Sequence, residues 1–378
     1  MRALQSSRIL KATLFATAAA LALSASATAD FVMQTNLVTD DQGVNAAQIT
    51  DPSLVNPWGM SYTPGSPLWV SDNGTGVSTL YHIDPNTNAT SKLGLTVSIP
   101  GDGSVNGQAF NTGAGGGAFN GDAFLFTSED GTISGWRGAL GTTAETLQAG
   151  SSANVYKGTT LVTMAGHSYL YSANFATGAI DVMKGDAGAP SLSGNFIDPT
   201  MPSNFHPFNV QMLDGHIFVT YAQYTGGLDE AHGAGLGYVS EFDTNGNFVA
   251  RVASQGALNA PWGMAIAPTG FGAFGGDLLV GNFGNGEINV YDLATDKWIA
   301  VLTGQNSSPL TIDGLWGLIV GNGTGAGSAN DIYFTAGPND ESDGLLGSLS
   351  FVPEPATMFL FAAGLLGFAL RRRFGVTV

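Results

Sequence analysis

Cysteine is absent from this chain of 378 residues. Disulfide bonds, cysteine nucleophiles and thiolate metal sites are therefore excluded, and an exported fold must be stable through packing alone. The nucleophile elbow Gly-x-Ser-x-Gly is also absent, which argues against hydrolases of that type. The five histidines show neither His-x-x-x-His nor His-Glu-x-x-His spacing, so the sequence contains no zinc-protease motif.

Basic residues are scarce. Six of the 12 Lys and Arg residues lie before residue 30 or after residue 351, whereas Glu354 alone of the 29 acidic residues lies there. The body of the chain, residues 30–351, therefore has 6 basic and 28 acidic residues, a net charge of −22. Such a charge repels phosphate backbones and anionic lipids. This argues against nucleic acid as a partner and leaves divalent cations and neutral or cationic ligands open.

Glycine is abundant, with 54 residues, about twice the usual share of roughly 7%. Long amphipathic helical patterns are missing, and short β-branched and aromatic runs are interrupted by Gly, Asn and Asp, as in residues 67–74. This pattern predicts an all-β protein. The body is longer than one ordinary hydrophobic core supports, so it is either two sandwiches or one repeat architecture.

An internal repeat favours the repeat architecture. Pro57-Trp58-Gly59-Met60 recurs as Pro261-Trp262-Gly263-Met264, and Leu315-Trp316-Gly317-Leu318 follows. An even spacing predicts three intervening copies, at Phe110-Asn111, Lys157-Gly158 and His206-Pro207-Phe208-Asn209. A second apolar strand follows each copy, at residues 68–71, 124–127, 169–172, 217–220, 278–281 and 332–335. Six units of about 50 residues, each a four-stranded antiparallel meander, predict a six-bladed β-propeller.

The two ends of the body support this prediction. From Trp316 the last unit has room for only three strands. Residues 31–38 resemble the outer strands at 247–252 and 298–302, so we expect the N-terminal strand to complete the sixth blade. Such a closure leaves no open sheet edge.

The N-terminus has the pattern of a secretory signal peptide over residues 1–29. Arg2, Arg8 and Lys11 precede an apolar segment at residues 12–23, and Ala27-Thr28-Ala29 provides a small-x-small cleavage site between Ala27 and Asp30. A basic start, an apolar segment and small residues before the cleavage point are the three parts of such a signal. The mature chain is expected to begin near Asp30.

The C-terminal tail, residues 352–378, also has three parts. Val352-Pro353-Glu354-Pro355 is held extended by its prolines, and an apolar run of 15 residues follows at 356–370. This run is shorter than the roughly 20 residues that span a bilayer comfortably, so we expect a short, temporary transmembrane helix. Arg371, Arg372 and Arg373 would hold its end on the cytoplasmic side.

This tail resembles the PEP-CTERM sorting signal of Gram-negative bacteria. The resemblance implies that an exosortase-type enzyme removes the tail after transient anchoring in the inner membrane, and that the protein reaches the cell surface or the extracellular matrix. An ordinary tail anchor is the alternative. The body resembles NHL-type and gluconolactonase-like six-bladed propellers. Body and tail together resemble an uncharacterised family of secreted PEP-CTERM propeller proteins, which implies no particular chemistry.

Candidate site residues follow from the meander, because inner-strand starts and second-strand ends meet at one face of the disc. The candidates at this channel mouth are Asn56, Asp72, Glu129, Asn174, His206, Tyr221, Asn282 and Asp313. Carboxylate and amide oxygens are ligands that calcium prefers, which predicts a calcium ion there. The alternative is that the Asp and Asn residues cap their own turns.

Three further features have two interpretations each. His206 could act as a base or satisfy a backbone carbonyl. The loop at residues 221–237, with Tyr224, Asp229, Glu230 and His232, could form a binding lid or a glycine-rich surface insertion. The acidic loop at 338–344 lacks the ligand spacing of an EF-hand, so it is either a weak calcium candidate or, as we expect, a solvated turn.

Two functions remain open. The favoured one is a non-catalytic surface or matrix protein whose propeller binds an exopolysaccharide, another carbohydrate or a surface protein. The alternative is a metal-dependent, lactonase-like hydrolase or lyase with its site at the channel mouth, where the ion would polarise a carbonyl group. The matched positions offer more amides than carboxylates, so we expect binding rather than catalysis.

Overall fold

A computed structural model of the protein describes residues 31–353. The predicted signal peptide with Ala27 and Ala29 lies outside this range, and so do Glu354, Pro355, the apolar run and Arg371 to Arg373. Within residues 31–353, no helix is both long and apolar enough to cross a membrane.

The described chain forms six sheets, antiparallel apart from the parallel pairing of the first two strands, which confirms the prediction of an all-β, six-bladed propeller. Blade 1 contains β3 (Pro57–Ser61), β4 (Leu68–Asp72), β5 (Val77–Ile83) and β6 (Thr90–Ser98). Blade 2 contains β7 (Val105–Phe110), β8 (Phe124–Ser128), β9 (Ile133–Trp136) and β10 (Glu145–Gln148). Blade 3 contains β11 (Tyr156–Met164), β12 (His167–Asn174) and β13 (Ala179–Lys184).

Blade 4 contains β14 (Phe205–Leu213), β15 (His216–Tyr224), β16 (Glu230–Ala231), β17 (Tyr238–Phe242) and β18 (Phe248–Ser254). Blade 5 contains β19 (Pro261–Ile266), β20 (Leu278–Asn282), β21 (Ile288–Asp292) and β22 (Lys297–Val301). Blade 6 contains β23 (Leu315–Val320), β24 (Ile332–Ala336) and β25 (Leu345–Val352), joined by β1 (Phe31–Thr39) and β2 (Ile49–Thr50). Residues 31–353 also contain four short 3-10 helices, at Ala114–Gly116, Ala118–Gly121, Gly138–Leu140 and Gly272–Phe274.

The N-terminal strand closes the ring as predicted. β1 lies beside β25 as the outer strand of blade 6. At its start the Val32 amide donates to the Thr303 carbonyl at 2.8 Å, which ties the strand to blade 5. Leu37 and Val38 are fully buried against blades 6 and 1. The first and last parts of the propeller are therefore held in one sheet, which removes an exposed edge.

The repeat has one structural signature in all six blades, a bulge at the start of the inner strand. A residue at or near the start of the inner strand pairs with one at or near the end of the second strand, and the register then shifts. The paired residues are Pro57 and Asp72, Val105 and Ser128, Tyr156 and Asn174, Pro207 and Tyr221, Pro261 and Asn282, and Leu315 and Ala336. These pairs define equivalent positions around the ring.

The sequence prediction placed the second copy of the repeat at the wrong residues. We expected it at Phe110-Asn111, but the equivalent of Trp58-Gly59 is Asn106-Gly107, and Phe110 ends the strand. Five blades have glycine at this position and blade 4 has Asn209; glycine is favoured because adjacent inner strands approach closely there. A Cβ atom on Gly59 would lie 2.3 Å from the Asn106 carbonyl oxygen, and one on Gly317 would lie 2.6 Å from that of Trp58.

Blade 3 differs from the expected four-stranded meander because it has only three strands. The chain that should supply the fourth contains Gly185, Gly188, Pro190 and Gly194, which weaken or interrupt a strand. Instead, the ring of Phe196 packs 4.9 Å from that of Tyr171 and joins the core between blades 3 and 4. Side-chain packing therefore takes the place of one strand.

Candidate functional site

The central channel has two different ends. We call the end where inner strands begin and second strands end the mouth; the sequence prediction placed the candidate residues there. The opposite end, where inner strands finish, opens into a cavity of about 710 Å³. Large side chains separate the two ends.

These side chains belong to the first bulged residue of each inner strand, which precedes the position where adjacent inner strands approach closely. These bulge residues are Trp58, Asn106, Lys157, Phe208, Trp262 and Trp316. Trp58 and Trp316 stack with ring centroids 3.5 Å apart, and Trp262 meets both edge-on at 6.0 and 5.7 Å. Phe208 packs 5.9 Å from Trp316. We call these four aromatic residues the aromatic plug. Because they pack in the channel, the mouth and the cavity are separate sites.

A chain of hydrogen bonds runs across the mouth from blade 6 to blade 3. The Trp316 indole N–H donates to Asn56 Oδ1 at 3.0 Å, and Asn56 Nδ2 donates to Asn73 Oδ1 at 3.2 Å. Asn73 Nδ2 then donates to Glu129 Oε2 at 3.2 Å, and Lys157 Nζ donates to Glu129 Oε1. Asn56 holds the left-handed conformation with φ of 46°. A network linked in this way fixes each side chain through its neighbour.

Lys157 is a buried cation, with 2% of its side chain exposed. Its Nζ lies 5.1 Å from the centroid of the Trp58 ring and 6.0 Å from that of Phe175. Burial by itself would lower the pKa of Lys157, but attraction to Glu129, Glu230 and Asp229 outweighs it, so the pKa is raised. Lys157 is therefore charged at neutral pH and faces an excess of carboxylates.

The loop after β15 brings two further residues to the mouth. His232 Nε2 lies 2.9 Å from Glu230 Oε1, and the Glu230 side chain is 4% exposed. This contact is the main cause of a raised pKa for His232, and Glu341 and Asp229 also contribute. The His232 ring lies edge-on to Phe283 at 5.1 Å, and Phe283 stacks on Trp316 at 3.9 Å. The loop thus rests on Phe283, which in turn packs on the aromatic plug.

Glu341 comes from the acidic loop between β24 and β25. Burial raises its pKa, and the carboxylates of Glu129 and Glu230 add to the effect. Its Oε1 is buried without a hydrogen-bond partner among the described residues. Asn339, Asp340 and Glu341 are consecutive left-handed residues, with φ of 55°, 50° and 65°. Such strain on non-glycine residues is commonly found at functional sites.

We define the mouth cluster as Asn56, Glu129, Lys157, Glu230, His232 and Glu341. With Phe283 from blade 5, the site contains residues from all six blades. A further aromatic pair lies nearby, where the rings of His206 and Tyr224 stack at 4.3 Å. His206 Nδ1 lies 2.6 Å from the Phe175 carbonyl oxygen, which matches the structural interpretation of this histidine.

Of the eight predicted residues, the structure brings Asn56 and Glu129 into the mouth cluster, with His206 close by. Asp313 lies beside it and accepts a hydrogen bond from the Asn339 amide at 3.1 Å, so it supports the loop of Glu341. The side chains of Asn174 and Asn282 bind the segments that lead into the inner strands of their own blades. Asn174 Oδ1 accepts from the Val155 amide at 3.2 Å, and Asn282 Oδ1 accepts from the Asn259 amide at 3.1 Å.

The prediction that Asp72 and Tyr221 face the channel does not match their positions. Asp72 is fully buried inside blade 1, where Thr79 Oγ1 donates to its Oδ2 at 2.7 Å. Tyr221 packs in the core between blades 3 and 4. Asp72, at the end of β4, and Tyr221, within β15, pair with Pro57 and Pro207, directly before the inner-strand bulge that changes the register. The sequence pattern alone does not reveal this shift.

The calcium candidates do not converge in the described part of the chain. Asp72, Asn174 and Asn282 lie on blades 1, 3 and 5, and their side chains bind their own blades. Across residues 31–353, no group of three or more His, Asp and Glu side chains is arranged to hold a metal ion. The donor set therefore does not fit the proposed calcium site.

Sequence reasoning missed the roles of Lys157 and Glu341, although both stood in segments that it singled out. In the repeat copy Lys157-Gly158, lysine stands where Trp58 stands in the first copy. Its equivalence to Trp58 indicates a side chain that faces the channel. Glu230, His232 and Glu341 belong to the two loops that were considered as a lid and as a weak calcium site. What could not be predicted is that both loops turn towards one cation.

Comparison with known proteins identifies the tail and relates the body to two viral proteins. Residues 351–373 match the PEP-CTERM protein-sorting motif. Uncharacterized protein R648 of Acanthamoeba polyphaga mimivirus is 31% identical over 328 residues, which cover 81% of this chain and 77% of the relative. Uncharacterized protein L690 of the same virus is 32% identical over 337 residues, covering 83% and 84%.

Among solved structures, an alpha-L-arabinanase of Penicillium chrysogenum in complex with arabinobiose resembles the chain with a TM-score of 0.51. The two are 11% identical, and the similarity covers 85% of this chain and 98% of the arabinanase. At this identity the likeness concerns the fold alone.

Proposed function

Since this chain belongs to the family of the mimivirus proteins R648 and L690 and carries a PEP-CTERM sorting motif, we propose that it is an exported propeller that binds carbohydrate at the mouth cluster. Its task is binding and not chemical conversion. The sorting motif implies export and processing by an exosortase. Transient anchoring in the inner membrane and final residence at the cell surface or in the extracellular matrix of a Gram-negative bacterium are part of the proposal.

The observation that carries this proposal is the hydrogen-bond chain from Trp316 to Lys157, which crosses the mouth through Asn56, Asn73 and Glu129. Holding a lysine and a glutamate in a protein interior costs several kcal/mol per ion before they pair, by order of magnitude. A propeller does not need such a pair to close its ring, since β1 does that. The network is therefore best explained as a preorganised recognition site.

The chemistry of the mouth suits a hydroxyl-rich ligand. Carboxylates and amide oxygens accept hydrogen bonds from ligand hydroxyl groups, whereas the ammonium and imidazole groups donate to ligand oxygens. The aromatic plug and Phe283 provide the apolar surface on which such a ligand would rest. The body charge of −22 opposes polyanions, so the ligand is a neutral or cationic polysaccharide.

Binding can be measured by calorimetry with the purified propeller and polysaccharide from the matrix of the producing cells. Glu230→Gln and Glu341→Gln should each weaken binding at least about tenfold, the effect of losing one charge-assisted hydrogen bond. Asp296→Asn, at an exposed left-handed turn of blade 5, is the matched control and should bind like the parent. Equal affinities of all four proteins would contradict a carbohydrate site at the mouth.

A hydrolase or lyase is the second candidate, and Glu341 is the observation that favours it. Burial raises the pKa of Glu341, while Glu129 is ion-paired with Lys157. Two carboxyl groups in such different environments can serve as a general acid and a base. Incubation of the propeller with the same polysaccharide distinguishes the candidates, because cleavage releases new chain ends and binding does not.

Sorting is tested separately in producing cells. Changing Pro353, Glu354 and Pro355 to alanine should leave the protein in the membrane fraction, whereas the parent is released to the exterior. Equal release of both proteins would contradict processing at this motif.

A further inference from the structure

The cavity at the far end of the channel has the composition of a second binding site. Its volume of about 710 Å³ lies within the roughly 300–1,000 Å³ range of small-molecule sites. Inner strands from all six blades line it. The third residue after Trp58, or after its equivalent in the other blades, has a small side chain in four blades. These residues are Ser61, Ala109, Thr160 and Ala265. These small residues leave the space that larger ones would fill.

The lining has almost no charge. Asp214, exposed directly after β14, is the single acidic or basic residue in the lining. Apolar side chains dominate the walls: Met60, Phe110, Leu161, Met212, Ile266 and Ile319. An anionic ligand would lose its hydration here without finding a cationic partner, and a cationic ligand could meet only Asp214, which is exposed.

Most polar groups of the lining are already satisfied within the protein. Gln108 Nε2 donates to Ser61 Oγ at 2.7 Å, and its Oε1 accepts from Ser71 and Ser78. Asn209 Nδ2 donates to the Trp262 carbonyl at 2.9 Å. The side-chain amide of Gln211 is different, because it forms no hydrogen bond with any other group of residues 31–353. It offers one polar anchor in a mainly apolar wall.

We propose that this cavity binds one uncharged, mainly apolar small molecule that carries a single hydrogen-bonding group for Gln211. The site is independent of the mouth cluster. Trp262 lies between them, since it lines the cavity and packs edge-on against Trp58 and Trp316. β25 runs towards the same face, where the ring of Phe351 lies 6.0 Å from that of Phe271.

The neutral fluorophore N-phenyl-1-naphthylamine is a suitable probe, because its emission rises in apolar surroundings. We expect saturable enhancement with one site per chain. Met212→Lys and Ile319→Lys place an ammonium group in the wall and should weaken binding at least tenfold. Val249→Lys, at a residue 50% exposed on the outer strand β18, is the control and should leave affinity unchanged. Glu230→Gln, at the mouth, should also have no effect.

A second measurement uses the absence of cysteine and avoids a buried charge. Met212→Cys and Val249→Cys each introduce a unique thiol, and iodoacetamide modifies both. Saturating fluorophore should slow alkylation at Met212→Cys at least fivefold and leave Val249→Cys unaffected. Enhancement that does not saturate, or equal alkylation rates with and without fluorophore in Met212→Cys, would overturn the proposal.

Discussion

The ammonium group of Lys157, from blade 3, lies 5.1 Å from the centre of the Trp58 ring, from blade 1. A cation over an aromatic face is attracted by the ring quadrupole, and here the same cation also binds Glu129. Blades 1, 2 and 3 thus meet at one side chain. This relationship links the stability of the ring to the organisation of the mouth.

Lys157→Met should lower the free energy of unfolding by about 3–5 kcal/mol, since removing one partner leaves the other charge without compensation. Urea unfolding followed by tryptophan fluorescence measures this. Lys184→Met is the control, because Lys184 is exposed on β13 and its loss should cost less than about 0.5 kcal/mol. Similar stabilities of the two variants would show that the buried pair contributes nothing.

Glu341→Gln should change how stability depends on pH. The folded-state pKa of Glu341 is raised by burial, so the native state holds its proton at a pH where the unfolded chain has released it. Its contribution to stability is complete below the ordinary pKa of 4.5 and is lost as pH rises through the folded value. The melting temperature of Glu341→Gln should therefore exceed that of the parent increasingly from pH 4 to pH 8. A constant difference would contradict the assignment.

Asp72→Asn tests the interior of blade 1. Burial raises the pKa of Asp72 well above 3.8, and its Oδ1 is buried without a partner in the described chain. As for Glu341, the stability of the native state falls as the pH rises, because the buried carboxyl group must then become charged. Asn retains an acceptor for Thr79, so the variant should melt above the parent at neutral pH and close to it at pH 4.

The same variant separates structure from metal binding. Calcium should affect the melting temperatures of Asp72→Asn and the parent equally. A calcium-dependent increase seen in the parent and not in the variant would restore Asp72 as a metal ligand.

Deleting residues 31–39 should expose the edge of β25 and cause aggregation, because an unpaired strand edge can pair with another chain. A chain that begins at Phe31 is the control. Size-exclusion chromatography and thermal melting should show a soluble monomer for the control, and soluble aggregates with a lower melting temperature for the deletion. Identical behaviour would mean that β1 is dispensable for closure.

The fold was predictable because its determinants are local and repeated. The glycine of Trp58-Gly59 recurs in five of the six blades because two inner strands approach closely there, and this leaves a periodic trace in the sequence. Blade 3 departed from the repeat because glycines and Pro190 stand where its outer strand was expected.

The site was only partly predictable. Asn56 and Glu129 were found because inner-strand starts and second-strand ends converge at the mouth. Asp72 was misjudged because a bulge opposite it decides which way its side chain points. Glu341 depends on a left-handed turn of non-glycine residues, a conformation that residue type does not encode.

Hydrogen exchange with and without matrix polysaccharide tests the central claim, binding at the mouth, most directly. Because the mouth cluster draws on separated segments, a ligand there should slow exchange together in residues 129–132, 225–237 and 337–344, and leave the strands around the cavity unchanged. Protection confined to other segments, or exchange that polysaccharide does not alter, would contradict the account.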